Sequence, residues 1–148
     1  MKFVVDTNVL AYAVNKDCAE HAAASRALAR WLAGSIPWAL TWQIVYEFLR
    51  IVTHPRVFSR PLSARQALGF LDPILGSDLV TVLRPTARHE AVLSDVIKEF
   101  GNPAGNIFHD LHVAATMREH GVGQIMTADT DFRKFRFLTV TDPVHEAG

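Results

Sequence analysis

Short apolar runs alternate with longer segments of helical period along the whole chain, and this alternation restricts the fold more than any single residue does. Phe3-Val4-Val5, Pro37-Trp38-Ala39-Leu40, Leu79–Leu83, Gln124–Thr127 and Phe137–Val140 read as strands, the second of them weakly. The segments Asn8–Val14, Cys18–Ala33, Thr41–Val52, Ser63–Leu75, Thr86–Phe100 and Ile107–His120 carry apolar residues three and four apart and read as helices. Thr7 or Asn8, Ser63, Thr86 and Asn106 are candidate N-caps, and Gly34 is a helix stop. Strands that are apolar throughout suit a sheet covered on both faces. Strand–helix alternation then predicts an α/β three-layer sandwich, a central parallel sheet with helices on both sides. The 148 residues suffice for one domain with a sizeable core, spanning 1–148 with a loose tail from 143.

The first run ends in an acid. Phe3-Val4-Val5 leads straight into Asp6-Thr7-Asn8, and in open α/β sheets the ligand crevice lies outside the carboxyl ends of the strands. The chain can therefore be searched for further acids that reach the same edge. Asp129 and Asp131 follow the fourth strand and meet this condition in a parallel sheet. Asp110 starts a helix that leads back to that edge, and on a helical wheel it sits among Ile107, Val113, Ala114 and Met117. Glu47 lies in the helix after the second strand, at the rim of its apolar face beside Ile44 and Ile51.

Each acid has an ordinary structural explanation. Glu47 fits a solvated helix boundary, Asp110 a first-turn acid favoured by the helix dipole, and Asp129 or Asp131 a helix cap. Convergence of all of them on one edge has no such explanation. A cluster of carboxylates without cysteine selects hard cations, Mg²⁺ or Mn²⁺. With such a cation the charge is balanced, a water is activated and a phosphate oxygen is polarised, which is the chemistry of phosphodiester hydrolysis. Arg50, Arg56, Arg60, Arg133 and Lys134 are candidate phosphate contacts, although each also fits a solvated charged surface. Thr7, Asn8 and Thr127 are placed to orient the carboxylates.

Composition excludes several classes. Hydrophobic residues make up 49% and charged residues 20%, as in a globular protein. A formal net charge of zero argues against whole-protein attraction to nucleic acid and leaves room for a local basic surface. The single cysteine, Cys18, rules out an intramolecular disulfide framework and a cysteine zinc cluster. No apolar run is long enough to span a bilayer and the N-terminus lacks a signal-peptide layout, so a cytoplasmic protein is expected. The histidines His109 and His112 flank Asp110 but fall away from it on the wheel, which favours surface or interface roles. Trp31, Trp38 and Trp42 are better read as packing residues than as base-stacking platforms.

Four ordered segments also resemble a known family. Val4-Val5-Asp6-Thr7-Asn8-Val9-Leu10, Tyr46-Glu47-Phe48-Leu49-Arg50, Asn106–Ala115 around Asp110, and Thr127-Ala128-Asp129-Thr130-Asp131-Phe132 are similar to the four acidic motifs of PIN-domain ribonucleases, and among them of the VapC-type toxins. The resemblance runs over nearly the whole chain. It implies a PIN-like fold and a Mg²⁺- or Mn²⁺-dependent endoribonuclease cleaving structured RNA, tRNA or rRNA. Asp6, Glu47, Asp110, Asp129 and Asp131 would be catalytic. Asp6, Asp110, Asp129 and Asp131 would hold the metal, leaving open whether Asp129 or Asp131 lies nearer. The resemblance further implies the toxin of a toxin–antitoxin pair, a homodimer, and inhibition by a VapB-type antitoxin whose basic side chain could enter the acidic pocket. Two other readings stand beside it: a non-catalytic RNA- or partner-binding module, and a different metal-dependent phosphate enzyme. A phosphatase with Asp6 as nucleophile would want an acid two residues on, where this chain has Asn8.

Overall fold

The computed structural model describes residues 1–145. Its elements follow in the order β1 (Val4–Val5), α1 (Thr7–Val14), α2 (His21–Ala33), β2 (Trp38–Thr41), α3 (Trp42–Val52), α4 (Ala64–Leu75), β3 (Val80–Leu83), α5 (His89–Phe100), α6 (Ile107–Glu119), β4 (Gln124–Met126), a 3₁₀ turn (Thr130–Lys134) and β5 (Thr139–Thr141). The five strands form one sheet in the order β3-β2-β1-β4-β5, and every pairing is parallel. Val4 pairs with Ala39 on one side and Ile125 on the other, so β1 is central.

The sequence dictates this position. Val4, Val5, Trp38, Ala39, Leu40 and Ile125 are fully buried, as strands covered on both faces require. Each such aliphatic side chain contributes roughly 1.5–3 kcal/mol relative to exposure. From β1 the chain steps outward to β2 and β3, then crosses back to place β4 on the other side of β1. Right-handed crossovers put α1–α4 on one face and α5–α6 on the opposite face. The order of strands reverses between β1 and β4, and the crevice of a doubly wound sheet opens at that point, outside the carboxyl ends of the strands.

Several helix starts differ from the sequence reading. Asp6 itself, not Thr7 or Asn8, caps α1, accepting the Thr7 amide at 2.8 Å. Residues 18–20 form a turn ahead of α2. α5 begins at His89, and the Thr86 hydroxyl accepts the Arg88 amide in the turn before it rather than capping the helix. Asn106 makes no side-chain cap to α6. Gly105 turns the chain there instead: its φ of 68° lies in the left-handed region, and its carbonyl accepts the Phe108 amide. Ser63 does cap α4, in a reciprocal box with Gln66. The expected loose tail starts as an ordered turn. The Val144 and His145 amides donate to Asp142 Oδ1, and the His145 ring reaches Glu20 at 3.6 Å. The rest of that tail, 146–148, lies outside the described residues.

Candidate active site at the switch point

β1 and β4 each deliver an acid to the same edge. Asp6 follows β1 and is 8% exposed. Its Oδ1 accepts the Thr7 amide, and its Oδ2 accepts the Thr127 hydroxyl at 2.7 Å and the Asn8 amide at 3.2 Å. Thr127, buried at the end of β4, uses its whole hydrogen-bonding capacity: besides donating to Asp6 it accepts from Asn8 Nδ2 and from the Asp129 amide. Asn8 Oδ1 in turn accepts the Ala128 amide. Thr127 and Asn8 thus lock the loop after β4 to the loop after β1, whereas the Thr7 hydroxyl donates to the Ile44 carbonyl at 3.3 Å rather than to a carboxylate.

That lock positions the other acids. Asp129 Oδ1 accepts the Asp131 amide and starts the 3₁₀ turn, so the cap reading of Asp129 holds alongside its place in the cleft. Asp110, Asp129 and Asp131 each present a carboxylate oxygen, and these oxygens lie within 4.8 Å of one another. Asp6 is not part of this tightest group but lines the same cleft of about 520 Å³, together with Thr7, Asn8, Glu47 and Lys134. Gln43 brings the α3 wall to α6 by donating its side-chain amide to the His109 carbonyl at 3.0 Å.

The electrostatics show the cost of this convergence. Burial pushes Asp6 up to about 6, against the pull of the Thr127 hydroxyl and the Thr7 amide, and Asp129 and Glu47 add to the rise. Burial pushes Asp110 up to about 7, reinforced by Asp129, Asp6 and Asp131. Asp110 does occupy the first turn of α6, yet the favourable dipole there is outweighed by desolvation and like charge. Glu47 behaves differently. The Arg50 guanidinium grips it in a bidentate pair, 2.5 and 3.1 Å, and holds its carboxyl below the ordinary range.

The basic candidates divide. Lys134 lines the cleft, 3.3 Å from Asp131. Arg50 stands beside it, bound to Glu47. Arg60 is paired with Asp17, and Arg56, Arg60 and Arg133 are not among the described residues lining the cleft. His109 is exposed and lines it, whereas His112 stacks edge-on to His89 at 5.7 Å. Trp31 and Trp38 pack with Phe3, but Trp42 is 40% exposed. The Gln43–His109 contact is invisible to local pattern because it joins segments 66 residues apart, whereas Lys134 meets Asp131 within a single turn, three residues on.

The donor set fits a hard divalent cation. All the clustered ligand atoms are carboxylate oxygens, and burial, with neighbouring carboxylates adding to it, raises Asp6 to about 6 and Asp110 to about 7.

A doubly wound parallel sheet with carboxylates gathered at its switch point defines a class of acidic-cleft α/β domains, and the PIN-domain model matches residues 3–138. The chain belongs to the PIN-domain family, and within it to the VapC group. It is 31% identical over 146 residues to ribonuclease VapC48 of Mycobacterium tuberculosis (strain H37Rv), covering 97% of this chain and 98% of that protein. It is 33% identical over 140 residues to ribonuclease VapC37 of the same organism, covering 95% and 96%. Among solved structures, VapBC2 of Rickettsia felis, bound to a promoter DNA fragment, superposes with a TM-score of 0.65 at 18% identity over 95% of this chain and 97% of that one. M. tuberculosis VapC20, described as a sarcin–ricin loop cleaving toxin, gives 0.63 at 22% identity over 89% and 93%. At these identities the superpositions speak for the fold. No helix among the described residues is long and apolar enough to cross a membrane.

Proposed function

We propose that this protein is a Mg²⁺- or Mn²⁺-dependent endoribonuclease that cleaves structured RNA, tRNA or rRNA. One observation carries the reading: Asp110, Asp129 and Asp131 present oxygens within 4.8 Å of one another in a cleft that Asp6 and Glu47 also line. Full-length similarity to VapC ribonucleases supports it. Asp110, Asp129 and Asp131 would hold the cation, with Asp6 beside them. When bound, that cation polarises a phosphate oxygen and makes water a competent nucleophile near neutral pH. The chain's own residues supply the setting. Thr127 and Asn8 fix the Asp6 carboxylate, and the Asp6 cap fixes the start of α1. Glu47, freed from Arg50, is placed to accept a proton at the cleft wall, while Arg50 and Lys134 offer positive charge to the RNA backbone.

The biological role we infer is that of a cytoplasmic toxin, a homodimer held silent by a VapB-type antitoxin. The crystallised VapBC complexes among its structural neighbours support this role. An antitoxin guanidinium entering the cleft would supply the charge that the acids lack. The test is cleavage of end-labelled total tRNA and rRNA by purified protein in Mg²⁺, Mn²⁺ or EDTA. Discrete products that require metal and vanish in Asp6→Asn and Asp110→Asn proteins are expected. Equal products from wild type and variants would assign the activity to a contaminant. Metal-independent RNA retention without cleavage would favour the binding module.

A further inference from the structure

Lys134 lines two clefts. One is the acidic cleft; the other, of about 380 Å³, lies on the far side of the 3₁₀ turn. Its apolar wall comes from Val96, Phe100, Phe135 and Phe137. The rings form a chain, with Phe100 5.3 Å and Phe137 6.2 Å from Phe135. Phe135 is buried and anchored on Phe132, whereas Phe100 and Phe137 keep part of their surface exposed. The Arg118 guanidinium sits 4.9 Å from the centroid of Phe137 and fixes that ring.

The rim is positive. Lys134 and Arg136 are both exposed there. Among the described residues Glu99 is the one acid in the lining, and the Arg118 guanidinium takes both of its oxygens. Lys134 also faces Asp131 at 3.3 Å across the turn, in a pair exposed to solvent on both sides, so its charge stays open to a second anion. An apolar aromatic wall beneath Lys134 and Arg136 suits a flat ring attached to a phosphate.

We propose that this second cleft is a nucleobase subsite, which takes an unstacked base of the RNA strand whose backbone crosses Lys134 into the acidic cleft. The assignment of RNA as the strand rests on the nuclease reading above; the subsite itself rests on the shared lysine, the rings and the charge of the rim. Phe137 and Phe100 supply apolar and aromatic surface, and Arg136 meets the phosphate on the outer side. Lys134 meets the phosphate between the two clefts. Such a subsite selects RNA loops, where bases are free to leave their stacks, over continuous duplex.

The test reads binding without turnover. A 5′-fluorescein RNA octamer of mixed sequence and an abasic octamer of equal charge are titrated, in EDTA and low salt, into wild-type, Phe137→Ala, Arg136→Glu and Arg136→Lys proteins. Wild type is expected to prefer the octamer with bases. Phe137→Ala should lose that preference, by roughly 5- to 150-fold, the range of base–aromatic stacking. Arg136→Glu should weaken both probes, and Arg136→Lys should restore them. Arg136 is exposed, so its variants report even where Phe137→Ala fails to fold. Equal wild-type affinity for the two probes, or an Arg136→Glu protein that binds as wild type does, would overturn the subsite. Base-dependent binding alongside no cleavage of tRNA or rRNA would keep the subsite and remove the nuclease reading. Cleavage without base-dependent binding would do the reverse.

Discussion

Thr127 donates its hydroxyl to Asp6 at 2.7 Å across 121 residues of sequence. The bond bridges the carboxyl ends of β1 and β4, the two strands between which the sheet reverses. It joins the loop carrying Asp129 and Asp131 to the first acid, so site geometry and sheet topology are fastened at one atom. Replacing Thr127 with Val keeps the shape and removes the bond. Three polar groups then lose a partner: the Asp6 carboxylate, the Asn8 amide and the Asp129 N–H. Urea denaturation at pH 7 should show a loss of about 1–3 kcal/mol. Thr127→Ser should stay near wild type. Equal stability of Thr127→Val and wild type would mean that the bridge does not hold the loops.

The raised acids fix a pH dependence for the metal-free protein. In the unfolded chain an aspartate titrates near 3.8, but Asp6 in the fold does so at about 6 and Asp110 at about 7. The folded state therefore keeps protons that the unfolded state has released. The contribution of these groups is fully present below about pH 4 and is lost as pH rises through 6 and 7. In EDTA, Asp110→Asn should melt higher than wild type at pH 8, by on the order of 2–5 °C, and close to wild type at pH 4.5. Thermal melts at the two pH values check this. A variant that melts lower than wild type at pH 8 would contradict it.

Glu119, which the sequence reading passed over, forms a second buried carboxylate network at the far end of α6. Its side chain is fully buried and accepts the Thr86 amide and hydroxyl at 2.9 and 2.6 Å and the His89 ring at 2.5 Å. Burial alone would raise its pKa, but these donors outweigh burial and hold it below the ordinary glutamate range. Its contribution is thus present above about pH 4.5 and is lost as pH falls through the lowered value, opposite in sign to Asp6 and Asp110. Glu119→Ala should cost about 2–4 kcal/mol in chemical denaturation near neutral pH. A loss under about 0.5 kcal/mol would show that the clamp between α5 and α6 is not needed.

The Arg50–Glu47 pair predicts a separation of stability from metal affinity. Both side chains are substantially exposed, at 61% and 37%, so removing the guanidinium should change stability by less than about 1 kcal/mol. It also frees a carboxylate at the cleft wall. Arg50→Ala should therefore bind Mn²⁺ several-fold more tightly in calorimetry, provided Glu47 belongs to the cation's surroundings. Unchanged affinity would leave Glu47 outside them.

The sequence revealed those features that local pattern controls. Val4-Val5 running into Asp6, the paired acids after β4 and Asp110 among apolar neighbours could all be read, because strand ends and helical faces have fixed periods. The β2 run is short and reads as a weak strand, yet its four residues are all buried in the second position of the sheet. Helix starts were less legible. Asp6 took the cap of α1 because the helix begins one residue earlier than the apolar spacing suggests. Asn106 lost its cap role to the bend at Gly105. Contacts that cross long stretches of sequence were not legible at all. Glu119 with Thr86 and His89, Gln43 with His109, and Arg60 with Asp17 depend on how helices dock, and no short-range signal encodes that.

The central claim is that the acids at the switch point form one divalent-cation site, and titration calorimetry of Mn²⁺ into the purified protein tests it most directly. Two buffers of different ionisation enthalpy at pH 6.5 would also count protons. Wild type should bind Mn²⁺ and release protons, since Asp6 and Asp110 are partly protonated there and must ionise near the cation. Asp110→Asn should bind at least ~10-fold more weakly and release fewer protons. Absence of Mn²⁺ binding by wild type, or equal binding and proton release by the variant, would contradict the account.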